Sequence, residues 1–183
     1  MDIQKTQRIA NHILQRLAKY AEFNKRLTSE VTRVQIYNQE SLLNLAKLEI
    51  PLDIQSISDK ILLINSLLKW FKFSYFKWVN NLPCDYCNST NTVGIKAGHP
   101  TQEDLMYGAS RIEQYQCTVC SRVSRFPRYN DPKILMKTRR GRCGEWANVF
   151  TLFCRAVGFR ARYVLDYTDH VWTEVYIDSK WSN

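Results

Sequence analysis

Apolar positions recur at a helical period through the first part of the chain. Ile9, Ile13, Leu17 and Ala21 fall on one face of residues 6–21, and Leu14 widens the stripe, which predicts an amphipathic helix. Residues 28–49 are less regular but helix-compatible, and Pro51 ends them. Residues 58–80 form a third, strongly apolar stretch that includes Ile61, Leu67, Trp70, Phe71 and Phe73. Its interleaved lysines and aromatics suit either base stacking or a helix packed on a core, and the core reading is favoured because such side chains are mostly inside. Residues 82–127 change character, with two cysteine pairs, turn residues and short β-like runs such as 111–117. The helical period returns at 143–157, where Trp146, Ala147, Phe150, Phe153, Cys154 and Val157 share a side and Gly158 caps the end. Period-two alternation at 160–167 and 170–177 predicts two strands joined near Thr168 and Asp169.

Composition adds little to this picture: 45% hydrophobic and 23% charged residues are ordinary for a globular chain of 183. No run approaches a transmembrane helix, and the N-terminus lacks a signal-peptide apolar core, so the expected location is cytoplasmic or nuclear. The cysteines are then thiols or metal ligands rather than a disulfide framework. The net charge of +9 is uneven. Residues 121–142 hold eight Lys and Arg against Asp131 alone. Such a stretch suits an acidic partner such as nucleic acid, or a solvated basic loop beside a cleft, and the solvated loop is the expectation.

Cys84-x-x-Cys87 and Cys117-x-x-Cys120 are two paired-thiol knuckles. Two such knuckles complete a tetrahedral four-thiolate zinc site with an insertion loop between them. A closed site of this kind is structural, and it folds a segment too polar to build its own core.

Cys143 sits where the basic loop turns into the apolar helix, in Gly141-Arg142-Cys143-Gly144-Glu145. A helix N-terminus favours an anion, and the neighbouring arginines add to that field. Gly141 and Gly144 are expected to leave room for a substrate, with backbone N–H groups as oxyanion donors. His170 opens a strand whose face also carries Trp172, Glu174 and Tyr176, while Val171, Thr173, Val175 and Ile177 form the core face. Cys143 is read as nucleophile, His170 as its base, and Cys154 as core. His12 and His99 have no such context.

Four stretches together resemble the core of the cytoplasmic peptide:N-glycanases, a transglutaminase-like, papain-related family: FKWVNNLPC at 76–84, SRFPRYN at 124–130, GRCGEWAN at 141–148 and ARYVLDYTDHVWTEVY at 161–176. The resemblance implies an α+β transglutaminase-like (papain-like cysteine hydrolase) core with a four-cysteine zinc subdomain and N-terminal helices. Its domains are 1–80 (helices packing on the core), 81–128 (zinc-binding) and 129–183 (catalytic). It implies hydrolysis of the bond between asparagine and N-acetylglucosamine by a Cys–His–Asp triad, with Cys143 and His170 catalytic and Trp78, Trp172 and Glu174 in contact with substrate. Implied partners are misfolded N-glycosylated proteins or glycopeptides and a ubiquitin–proteasome adaptor, with no membrane. The family's triad aspartate follows on one further strand, past Asn183, and Asp166, Asp169 and Asp178 do not match it. The core is therefore expected to be C-terminally truncated, with strand 170–177 left with an unpaired edge. The alternatives are a catalytically inactive binding module for nucleic acid or protein, and acyl transfer to an amine.

Overall fold

Helix α1 (Ile3–Val34) extends the first amphipathic helix at both ends and gives way to a 3-10 turn, Gln35–Asn38. The computed structural model describes residues 3–166 and 168–183, without the side chains of residues 3–7, 9 and 10. The Ile9 side chain of the first stripe, and Tyr167 at the end of the expected strand 160–167, thus lie outside the described residues. The chain divides into two compact units, Met1–Gln39 and Glu40–Asn183. In the first, Ile13, Leu14 and Leu17 of the stripe are exposed. No helix among the described residues is long and apolar enough to cross a membrane.

The second unit is built around α7 (Cys143–Ala156). Before it in the chain come α2 (Glu40–Glu49), α3 (Leu52–Gln55) and α4 (Lys60–Trp70), the last begun by an Asp59 carboxylate that accepts the Leu62 N–H at 2.7 Å. A π turn, Phe71–Tyr75, carries α4 into the core. Phe71 is fully buried there, stacked on Phe76 at 5.3 Å and edge-on to Trp146 at 5.0 Å and Phe153 at 5.7 Å. The core reading of this aromatic run holds, except that Phe73 is 73% exposed.

Three small sheets follow. β1 (Lys77–Trp78) pairs in parallel with β5 (Arg140–Gly141), and Trp78 stands beside Gly141. β2 (Thr92–Gly94), β3 (Ile112–Cys117) and β4 (Val123–Pro127) form an antiparallel sheet, with α5 (Gln102–Met106) in the β2–β3 connection. α6 (Pro132–Thr138), with Pro132 at its first turn, leads to β5. β6 (Ala161–Leu165), β7 (Val171–Ile177) and β8 (Lys180–Ser182) form the last antiparallel sheet.

β8 corrects one expectation. It pairs with the second half of β7, Val175 opposite Ser182 and Ile177 opposite Lys180, so the edge expected to stay bare is covered there by the chain's own last residues. α7 is also more enclosed than a one-sided stripe implies. α2, α4, α6 and β5–β7 pack around it, and Asn148, Val149, Thr151 and Leu152 are buried along with Ala147, Phe150, Phe153 and Cys154 of the predicted apolar face, while Trp146 and Val157 are half-buried. Gly158 takes φ of +90° just past the helix, the left-handed conformation that a helix-terminating glycine supplies.

Candidate functional site

The chemistry gathers at the first turn of α7. Cys143 is its first residue and is exposed. The Arg142 N–H donates to Glu145 Oε2 at 3.0 Å, which fixes the chain as it enters the helix. Gly144 faces open space, as expected of a residue that admits a substrate. Gly141 does not: a Cβ there would stand 2.3 Å from the Cβ of Glu145, so its lack of a side chain serves packing.

The β1–β5 register brings Trp78 to this loop from 63 residues away, with Val79 N–H donating to Gly141 O at 3.0 Å. Trp78 is 52% exposed, its indole lies 6.1 Å from Trp146, and its Nε1 donates to Asn80 Oδ1 at 2.8 Å. The ring is thus held by one edge and is half exposed.

The β6–β7 hairpin supplies the other side chains. Thr173 Oγ1 bonds to the carbonyl of Ala147 at 3.1 Å and to Thr151 Oγ1 at 2.9 Å, so Thr173, Val175 and Ile177 turn toward α7 as the alternation predicts. Cys143 lies four residues before Ala147, and His170 three before Thr173. Both residues therefore lie on segments that lead into the same contact between helix and strand. Among the described residues they make no hydrogen bond to each other. His170 sits just before β7 rather than in it, after Asp169 at φ of +74°, with its side chain 77% exposed. Its Nδ1 is 3.4 Å from Thr168 Oγ1 and 3.8 Å from Asp166 Oδ2.

Trp172 and Glu174 are brought together, Trp172 Nε1 donating to Glu174 Oε1 at 3.1 Å. Arg162, opposite Glu174 in the hairpin, donates to Glu174 Oε2 from Nε at 2.8 Å. Hydrogen bonds from Trp172 and then Arg162 hold the Glu174 carboxyl below its ordinary value, so it stays an acceptor. Arg162 escaped the reading of the sequence. The signal was present in the hairpin alternation, which sets residue 162 across from 174 once the turn is placed at 166–170.

The four knuckle cysteines converge. Their sulfurs all lie within 4.8 Å of one another, with separations of 3.5 Å for Cys84 and Cys120 and 3.6 Å for Cys87 with each of Cys117 and Cys120. The two knuckles repeat one geometry. In each, the N–H two residues after the first cysteine points at its sulfur, from Tyr86 to Cys84 and Val119 to Cys117, both at 3.4 Å. In each, the residue after the second cysteine is left-handed, Asn88 at φ 57° and Ser121 at φ 60°. The Cys87 N–H lowers the Cys84 thiol to about 6. Cys87 itself, although the Ser89 N–H pulls the other way, is pushed up to about 12 by the neighbouring thiols. Four such groups share this space as anions only if a cation sits among them, and the cluster suits a metal with four thiolate ligands.

Five arginines of the basic stretch are paired with carboxylates. Arg125 pairs with Asp104, Arg128 with Glu145 and Glu113, Arg139 with Glu49, Arg140 with Asp85 and Arg142 with Glu113. Each carboxylate comes from outside the stretch, which is why the local charge count misled.

Residues 93–183 match the model of the transglutaminase-like superfamily. Three relatives carry the name peptide-N(4)-(N-acetyl-beta-glucosaminyl)asparagine amidase. The one from Homo sapiens is 50% identical over 143 residues, 78% of this chain and 21% of that protein. The one from Arabidopsis thaliana is 56% identical over 113 residues, 62% of this chain and 15% of that protein. The one from Yarrowia lipolytica is 50% identical over 119 residues, 64% of this chain and 33% of that protein. The chain thus spans no more than a third of the length of these relatives.

Proposed function

We propose, from its match to the transglutaminase-like superfamily and its likeness to the peptide-N(4)-(N-acetyl-beta-glucosaminyl)asparagine amidases, that this chain cleaves the amide between an asparagine side chain and N-acetylglucosamine, leaving aspartate. The observation that carries the reading is the exposed Cys143 at the first turn of a helix buried along most of its length. A rigid helix holds the sulfur still, and the open Gly144 side admits a branched substrate.

In this reading Cys143 attacks the side-chain carbonyl as thiolate, and the first-turn N–H groups meet the developing oxyanion. His170 gives a proton to the departing glycosylamine, which leaves a thioester. It then takes a proton from water, which opens the thioester to aspartate and restores the thiol. Trp78 and Trp172 offer faces to the sugar rings, and Glu174, held by Trp172 and Arg162, accepts from a sugar hydroxyl. Residues 1–80 are the helical region, 81–128 the metal subdomain and 129–183 the catalytic core.

The metal is zinc and its role structural. Four thiolates at a Zn–S distance of about 2.3 Å in a tetrahedron stand about 3.8 Å apart, close to the sulfur separations of 3.5 and 3.6 Å. Cys84, Cys87, Cys117 and Cys120 would hold it and leave no position for substrate. The substrates are misfolded N-glycosylated proteins or glycopeptides in the cytoplasm or nucleus, with a ubiquitin–proteasome adaptor as partner. The binding-module alternative loses its main support, since five arginines of the basic stretch are committed to carboxylates.

The test is mass spectrometry of a denatured glycopeptide incubated with this chain and with Cys143→Ala. The expected outcome is glycan release with Asn converted to Asp by the parent chain and none by the variant. Release that survives Cys143→Ala, or a glycopeptide left intact by both, would overturn the reading.

A further inference from the structure

Glu113 has no part in the reaction above, yet four side chains converge on its carboxylate, one of them the largely exposed Arg111, with Nη2 3.2 Å from Oε1. Arg142 Nη1 and Nη2 donate to it at 3.0 and 2.7 Å, Arg128 Nη1 at 3.0 Å and the Tyr115 hydroxyl at 2.8 Å. Arg128 turns its other edge to Glu145, with Nη2 2.8 Å from Oε2. Glu145 Oε2 in turn accepts the backbone N–H of Arg142. Glu113, Arg142, Glu145 and Arg128 thus close a ring, three of its links between charged side chains and the fourth through the Arg142 backbone N–H, with side chains only 5–24% exposed. Charge-assisted bonds of this kind in a partly dry site are strong, and removing one member strands the others' charge. Burial alone would raise the Glu113 carboxyl, but the bonds from Arg142, Tyr115 and Arg128 hold it down to about 2.

The ring joins two places that the backbone keeps apart. Glu113 lies in β3, which ends at the metal ligand Cys117. Arg142 immediately precedes Cys143, and Glu145 belongs to the same first turn. Arg142 also donates to the carbonyls of Val79 at 2.9 Å and Asn80 at 3.1 Å, in the segment that follows Trp78. Movement of β3 therefore pulls on the residue that sets the nucleophile's position.

We propose that Glu113 is a positioning residue that ties the start of the nucleophile's helix to the four-cysteine subdomain, so that the reactivity of Cys143 depends on that subdomain's metal site being filled. The proposal takes from the amidase reading only the idea that the Cys143 thiol matters. Its test reads the thiol itself.

The experiment is peptide-resolved mass spectrometry of Cys143 alkylation by excess iodoacetamide, in zinc-loaded and chelator-treated protein. The parent chain is compared with Glu113→Gln, circular dichroism and zinc content being checked in both. Cys143 is already exposed, so loss of metal has little accessibility to add and acts through order at the first turn. In the parent chain, chelation is expected to slow alkylation roughly tenfold, within the range of coupling between contacting residues. In Glu113→Gln the zinc-loaded rate is already low and chelation changes it by less than about twofold. The same chelation factor in both proteins, or no effect in the parent chain, overturns the proposal. Should Glu113→Gln fail to fold or to hold zinc, Arg142→Lys decides the matter in the same way, since it keeps the charge and loses the two-pronged pairing. Absence of glycan release would leave this result unaltered and would count against the amidase reading alone.

Discussion

A Cβ at Gly141 would stand 2.3 Å from the Cβ of Glu145 and 2.8 Å from its Cγ, and Glu145 has little freedom to retreat because Arg128 and the Arg142 N–H hold its carboxylate. Gly141→Ala is therefore expected to cost about 1–3 kcal/mol by overpacking, read as a lower urea midpoint. Ser121 stands at the other extreme. It carries a left-handed backbone that a serine adopts at a cost, and Asn88 carries the same conformation with a residue that tolerates it better. Ser121→Gly should raise stability by about 0.5–1 kcal/mol, and Asn88→Gly by less. The reverse order in thermal melts would refute that account of the knuckles. Glu113 contributes to the acid response. Its folded carboxyl sits near 2 against an ordinary 4.5, so its contribution is whole above about pH 4.5 and fades as pH falls toward 2. That contribution is on the order of 3 kcal/mol. Urea titrations at pH 6 and pH 2.5 should show the parent chain losing more stability than Glu113→Gln by roughly that amount.

At the scale of elements, the parts legible in the sequence were those with a local pattern. Four cysteines in two identical spacings announce a shared centre, and β7 turns to α7 the alternate residues that its period assigns. The buried run of α7 was legible only on one side, because Asn148 and Thr151 are polar residues whose burial depends on partners elsewhere: the Asn130 carbonyl at 2.7 Å and the Thr173 hydroxyl at 2.9 Å. Pairings across long sequence distances left no mark. Glu113 and Arg142 are 29 residues apart, and Glu49 and Arg139 are 90 apart. Nothing within a helical turn or a strand alternation announces either. The basic stretch thus looked like a surface when most of its arginines act as links.

For the molecule as a whole, a long-range link is made by the smallest sheet. β1 and β5 pair over two residues each, yet they close a loop of 63 residues that contains the whole four-cysteine subdomain. Bringing the ends of a chain together costs entropy that grows with the logarithm of the loop. A metal that clasps Cys84 to Cys120 removes 36 residues of slack from it. Closing the shortened loop is then cheaper by about 0.7 kcal/mol. Metal taken up early should accordingly speed refolding about threefold, seen as a faster rise of tryptophan fluorescence in zinc than in chelator. Equal rates would mean that the site fills only after Trp78 has met Gly141. The cysteines, besides bracing their own subdomain, would then set the order in which this part of the chain is assembled: first the clasp, then the meeting of tryptophan and glycine.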